Sequence, residues 1–292
     1  METAKKPRNL KRKIKEELST PLSKNAKVTV NAPAEWSTVY EIISNQRKRV
    51  SAPVDTMGCA EAGNAKGISD KDRRFGCLVA LMLSSQTKDE VTYQAMINLR
   101  EALPGGLSAE SVEKASIDDI EKAINKVGFW RRKASYIKQA SISICESGDV
   151  PNTIEGMLKL KGVGPKMGYL ALNTAWGLNE GIGVDTHVHR ISNRLGWHRP
   201  ESKTEEQTRL NLEQWLPKDL HQEINPLLVG FGQVICKPVN PLCDMCDVGE
   251  LCPSRKLKKK KTVDKKMKKE EESDDNERVA RAQPKVKIRD DA

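Results

Sequence analysis

A lysine, an aspartate and four cysteines carry the chemistry legible in this 292-residue chain. Lys166 follows Gly162-Val163-Gly164-Pro165, which reads as a tight hairpin between two helices. The glycines can take the positive φ of a sharp reversal, and Pro165 is pre-set for a first helical position. The hairpin thus ends in a helix N-terminus, whose unpaired N–H groups and positive dipole end can hold a phosphate. A lysine in that first turn, near positive potential and partly desolvated, has its ammonium form disfavoured and can act as an amine nucleophile. Asp185 opens another helical pattern 19 residues on. There it can cap the helix through Thr186 and His187 while aiming its second oxygen at whatever Lys166 attacks.

Cys236, Cys243, Cys246 and Cys252 follow the spacing C-x6-C-x2-C-x5-C, with the turn formers Pro238, Asn240, Pro241 and Gly249 between them. Four thiolates so close in sequence can surround one ion or one cluster. Donor chemistry alone leaves zinc and an iron–sulfur cluster equally open. Seven cysteines, four of them clustered late in a chain with no secretory segment after its first methionine, favour metal ligation over disulfides. Cys59, Cys77 and Cys145 match no ligand position and read as incidental thiols. His187 and His189 are two apart, so one helix face cannot offer both to a metal; they read as packing or DNA-facing residues.

The elements that must position these groups are helical. Trp36, Val39, Ile42 and Ile43 open the folded part, and a Gly-rich connection runs from about Ala52 to Ser69. Phe75 to Leu83 is apolar all round, as a buried helix is. The polar loop Ser84-Ser85-Gln86-Thr87-Lys88-Asp89 follows, ending in a cap for a helix over 90–103. Short helices are expected at 108–115 and 116–127, with Ser116 and Asp119 fitting a capping box. Gly128-Phe129-Trp130-Arg131-Arg132-Lys133 then sets an aromatic beside three cations, a composition suited to partial intercalation with phosphate contacts. An amphipathic helix runs on to about Gly148. Beyond Asp185, helices are expected to about Gly196, over 210–216 and over 220–235, the last broken or restarted at Pro226 with Asn225 as its cap.

The net charge of +10 points to a polyanionic partner, but its distribution confines the excess. Residues 1–34 hold nine Lys and Arg against three Asp and Glu, and residues 255–292 hold fifteen against nine. The stretch between them is −2, so any DNA groove on the folded part is a local patch. Both tails lack hydrophobic periodicity and read as disordered. Lys5-Lys6-Pro7-Arg8 and Lys11-Arg12-Lys13 suit a nuclear import signal or a nonspecific DNA-binding arm, with a mitochondrial presequence as a weaker reading because Glu16 and Glu17 interrupt the basic run. No apolar run has membrane-spanning length, so no membrane partner is expected.

Taken singly, a G-V-G turn, a first-turn lysine and a capping aspartate are each common structural features. Their combination resembles the endonuclease III family of DNA glycosylases, whose hairpin carries Leu-Pro-Gly-Val-Gly before a nucleophilic lysine and then Val-Asp-Thr-His. Here the residues are Leu160-Lys161-Gly162-Val163-Gly164-Pro165-Lys166 and Val184-Asp185-Thr186-His187, with Lys161 in place of the usual proline. The resemblance covers about residues 35–253. It implies an all-α, two-lobed helix–hairpin–helix glycosylase fold: a helical barrel at 67–178, and a cluster lobe built from 35–66 and 179–253, between disordered tails at 1–34 and 254–292. It also implies a monomeric bifunctional DNA glycosylase and apurinic/apyrimidinic (AP) lyase, active on duplex DNA with oxidised pyrimidines or abasic sites, in the nucleus and also the mitochondrion. Lys166 would be the nucleophile and Asp185 its catalytic carboxylate. Gly162, Val163 and Gly164 would bind backbone phosphate, and the four late cysteines would hold a [4Fe–4S] cluster. By position, Gln86 inherits the role of a glutamine that enters the duplex where the target nucleotide has been extruded, and Phe129 that of an apolar wedge. Adenine glycosylase relatives lack the lysine and the 8-oxoguanine branch lacks the four-cysteine site, so both fit less well; a noncatalytic DNA-binding module is the alternative of a different class.

Overall fold

The computed structural model describes residues 32–256, so the expected basic tails lie outside the described residues except for their inner ends. Thirteen α-helices and three short 3-10 turns make up the described secondary structure, with no strand. In chain order the helices are α1 (Trp36–Arg47), α2 (Pro53–Met57), α3 (Cys59–Gly63), α4 (Asp70–Ser84), α5 (Asp89–Ala102), α6 (Ala109–Lys114), α7 (Ile117–Ala123), α8 (Trp130–Ser147), α9 (Ile154–Lys159), α10 (Pro165–Trp176), α11 (Thr186–Arg194), α12 (Glu205–Trp215) and α13 (Ile224–Val234).

Helix α4 is the axis of the first core. Ser69 caps it by accepting the Asp72 N–H at 3.1 Å, and every residue from Phe75 to Leu83 is buried. Taking Phe75, Leu78 and Leu83 out of water stabilises the fold by about 1.5–3 kcal/mol each. Around α4 pack α3, α5, α8 and α10. The α3–α4 crossing is close because it is made backbone to backbone: a Cβ on Gly76 would stand 2.5 Å from the Gly63 carbonyl oxygen. Ala62 and Cys59 therefore join the first core, and the stretch grouped from sequence as 35–66 divides between the two cores.

The second core is made from both ends of the described chain. Trp36, Val39, Tyr40 and Ile43 of α1 pack with Ile182, Val184, Val188 and Ile191 and with Leu228 and Phe231 of α13. Trp215 sits between Trp36 and Trp197, ring centroids 5.3 and 5.6 Å away, in tilted and edge-on arrangements typical of buried aromatics.

Several local expectations change in detail. Asp89 is the first residue of α5 and not its cap, and its carboxylate instead accepts from Gln233 Nε2 at 2.7 Å. The expected 220–235 helix divides into a 3-10 turn at Lys218–Leu220 and α13. Pro226 stands in the first turn of α13, where no backbone donor is needed, and Asn225 donates to the Gly183 carbonyl instead of capping. Reciprocal capping occurs at Ser108 and Ser111, each hydroxyl accepting the other's N–H at 2.9–3.0 Å. Ser116 accepts the Asp119 N–H at 3.2 Å and donates to its carboxylate.

Candidate active site

The hairpin is a wound turn between α9 and α10. Thr153 caps α9, the chain reverses after Leu160, and the Val163 N–H donates back to the Leu160 carbonyl at 3.1 Å. Gly162 takes φ +85, and a Cβ there would collide with the ring of Tyr136. Gly164, expected to share the left-handed conformation, is extended at φ −100 because it occupies the N-cap of α10. Val163 is buried in the first core and anchors the turn. No side chain caps α10, so the amides of its first turn stay open. Lys166, second residue of that helix, is exposed, where partial desolvation was expected; the hairpin projects its first turn outward.

Asp185 is extended and caps α11 with one oxygen. Its Oδ1 accepts the N–H groups of His187 at 2.9 Å and Val188 at 2.8 Å, so the cap engages His187 and Val188 and, among the described residues, leaves Oδ2 without a hydrogen bond. Lys166 and Asp185 are brought into the field of one ring, that of His187. Burial holds this imidazole below the usual histidine range; Asp185 and Asp89 pull it up, and Arg190 and Lys166 push it further down. Arg190 Nη2 donates to His187 Nδ1 at 3.2 Å, which places the proton of the neutral ring on Nε2.

Gln86, Phe129 and Gly162 come together at a cavity of about 150 Å³ that Arg132, Lys133 and Tyr136 also line. Gln86 and Phe129 are non-glycine residues in the left-handed region, at φ +52 and +56. Such backbone is strained and is retained where surrounding contacts over-determine it. Phe129 is 54% exposed, with Arg132 4.9 Å over its ring, while Trp130 packs against the first core.

The four late cysteines gather at the end of α11. Arg194 donates Nη1 to Cys236 Sγ at 3.4 Å and to the Lys237 carbonyl at 2.8 Å, and Nη2 to the Pro238 carbonyl at 2.9 Å. Cys236, Cys246 and Cys252 pack against the second core. Burial, ahead of every other cause, raises the thiols of Cys246 and Cys252; Cys236 acts on both, and Cys243 on Cys252. Among the described residues, no three histidine, cysteine, aspartate or glutamate side chains meet closely enough to share one metal ion. Four thiolates are a donor set that one ion or a group of several metal atoms could take.

The helix–hairpin–helix superfamily of base excision DNA repair proteins (HhH-GPD) matches residues 79–218. The endonuclease III homolog of Schizosaccharomyces pombe is 49% identical over 231 residues, which are 78% of this chain and 64% of that protein. Endonuclease III-like protein 1 of Gallus gallus is 46% identical over 226 residues, 77% of this chain and 79% of that protein. This chain belongs to the endonuclease III family. Its all-helical fold agrees: the structure of a trapped endonuclease III–DNA covalent intermediate superposes at a TM-score of 0.61 with 24% identity, covering 75% of this chain and 95% of that one.

In this endonuclease III family member, sequence reasoning passed over two residues of the site. Lys133, which composition groups with Arg131 and Arg132 as a phosphate-contacting cation, is buried and turned inward, leaving the two arginines outside. Its place on the inner face of α8, one turn before the buried Ile137, was the available signal. His187 reads from the sequence only as a packing or DNA-facing residue. Its position two residues after Asp185 signals nothing about the charges of Asp89, Arg190 and Lys166 that act on its ring.

Proposed function

We propose that this protein is a bifunctional DNA glycosylase and AP lyase that excises oxidised pyrimidines from duplex DNA and cuts the strand by β-elimination. The family membership carries the reading, together with an exposed amine in the first turn past the hairpin, Lys166, and a helix cap, Asp185, that engages its helix through one carboxylate oxygen. The trapped DNA intermediate seen in a structural neighbour accords with it.

A stacked base cannot be reached, so the target nucleotide is extruded, at a cost of about a few kcal/mol that is least for a damaged base. The open first-turn amides of α10, with Gly162, Val163 and Gly164, hold backbone phosphate. Phe129 wedges the stack and Gln86 occupies the vacated position. Lys166 Nζ attacks C1′ as the C1′–N bond breaks and the base departs with the bonding pair. Asp185 Oδ2 offsets positive charge on the sugar and accepts the proton the amine sheds. The C1′–O4′ bond then breaks, O4′ taking a proton, as the nitrogen lone pair forms the protonated imine; this acidifies the C2′ hydrogen, whose removal expels the 3′ phosphate and cuts the strand.

Cys236, Cys243, Cys246 and Cys252 would hold a [4Fe–4S] cluster, which contributes folding energy to the segment after α13. The protein works as a monomer in the nucleus, with the mitochondrion as a second destination. Borohydride trapping on an abasic duplex tests the core of this reading. Lys166→Gln should bind the duplex yet form no covalent adduct and no nick; trapping at wild-type yield would assign the nucleophile to another amine.

A further inference from the structure

Lys133 is a buried lysine, 6% exposed, that the proposed chemistry does not use. Its ammonium spends its three N–H groups on one short segment: the Leu83 carbonyl at 2.7 Å, the Ser85 carbonyl at 2.6 Å and Thr87 Oγ1 at 3.2 Å. Burial, with Arg132 beside it, pushes this amine down to about 8. A charge placed so unfavourably is tolerated where its hydrogen bonds secure something else.

What they secure is the turn that carries Gln86. Helix α4 ends at Ser84, leaving its last carbonyls without partners inside the helix, and Lys133 takes up two carbonyls there. Thr87 Oγ1 also receives the Gly128 N–H at 3.3 Å, which ties the turn to the start of α8. Gln86, between two of the clamped residues, is held in the left-handed region, and so is Phe129 beside Gly128. Both line the same cavity as Lys133. One cation thus ties together the end of α4, the Gln86 turn and the helix that Phe129 opens.

We infer that Lys133 is a positioning residue for entry into the duplex: its three hydrogen bonds keep the 85–88 turn wound, so that Gln86 is presented with Phe129 before DNA arrives. The inference rests on the proposed entry of Gln86 into the gap left by the extruded nucleotide. Methionine has the same unbranched shape as the lysine stem, stops where the ammonium would begin and has no donor, so Lys133→Met removes the clamp and largely spares the packing.

The test is a double-mutant cycle of Lys133→Met with Gln86→Ala in the full-length chain. Three readouts are followed: amide hydrogen exchange in the free protein, 2-aminopurine fluorescence beside a lesion, and single-turnover base release. Lys133→Met should speed exchange at residues 85–88 by about tenfold, with α13 unchanged, and should cut the fluorescence rise and base release by about the same factor. In the Gln86→Ala background it should cost less than about twofold more, because the residue it positions is gone. Unchanged exchange at 85–88, or equal losses in both backgrounds, would overturn the inference; equal losses are what a merely structural lysine gives. Faster exchange with Gln86→Ala at wild-type activity would leave the clamp standing and overturn the duplex role of Gln86. If Lys133→Met fails to fold, Thr87→Val, which removes one acceptor, is read in the same cycle by the same criteria.

Discussion

His198 donates Nε2–H to Ser192 Oγ across 2.9 Å inside the second core. The direction follows from the serine, whose hydroxyl donates to the Val188 carbonyl at 2.7 Å and so presents a lone pair to the ring. The other nitrogen, Nδ1, is buried without a partner. Protonating it would set an unsatisfied cation among apolar side chains, and burial accordingly pushes the imidazole down to about 4, with His189 a lesser cause.

An acid-labile lobe is the consequence. Between pH 6.5 and about 4 the unfolded chain binds the His198 proton and the folded chain does not, so this contribution is complete above 6.5 and is lost as pH falls through that window. The full swing is on the order of 3 kcal/mol. Urea denaturation of His198→Gln, which can still donate to Ser192, should show a shallower decline between pH 6.5 and 4 than wild type. An equal decline would place the acid sensitivity elsewhere.

Asp185 caps α11 and, in the proposed chemistry, would also supply charge; two substitutions separate the roles. Asp185→Asn keeps an acceptor for the His187 and Val188 amides but removes the negative charge, so base release should fall by about 10²-fold or more with melting temperature nearly unchanged. Asp185→Ala should lose both, with about 1 kcal/mol of stability gone as well. Equal activity in the two variants, near wild type, would remove Asp185 from the chemistry.

Cys243→Ser addresses the cluster. It should abolish visible charge-transfer absorbance and lower soluble yield, since metal binding and folding are coupled in a segment with only short 3-10 turns of its own. Metal analysis of the wild-type protein should return iron and sulfide; stoichiometric zinc alone would refute the assignment.

The tails carry the whole excess of positive charge, with residues 1–34 and 255–292 each at +6. Deleting both should weaken nonspecific duplex binding and flatten its dependence on salt, because fewer counterions are released, at about 0.9 per phosphate neutralised. Single-turnover chemistry at saturating substrate should persist. Its loss would mean that the tails take part in the active site.

Local chemistry was open to reading in one dimension. The all-α class, the buried stretch Phe75–Leu83, the turn at Gly162 and the cap at Asp185 all follow from short-range rules: apolar periodicity, glycine and proline geometry, and the oxygen a helix start requires. The family resemblance likewise rests on contiguous motifs. Convergence is a different matter, because it depends on contacts between residues far apart in the chain. Only the tertiary structure put Gln86, Phe129 and Gly162 around one cavity, whereas the packing of α1 on the core of the C-terminal half was implied by the resemblance and required by no periodicity in the chain. It also turned Lys133 inward from a run of three cations, a distinction that composition cannot draw. A side chain's charge is written in the sequence. Whether water or three carbonyl and hydroxyl oxygens surround that charge is decided by the packing of α8 against the end of α4.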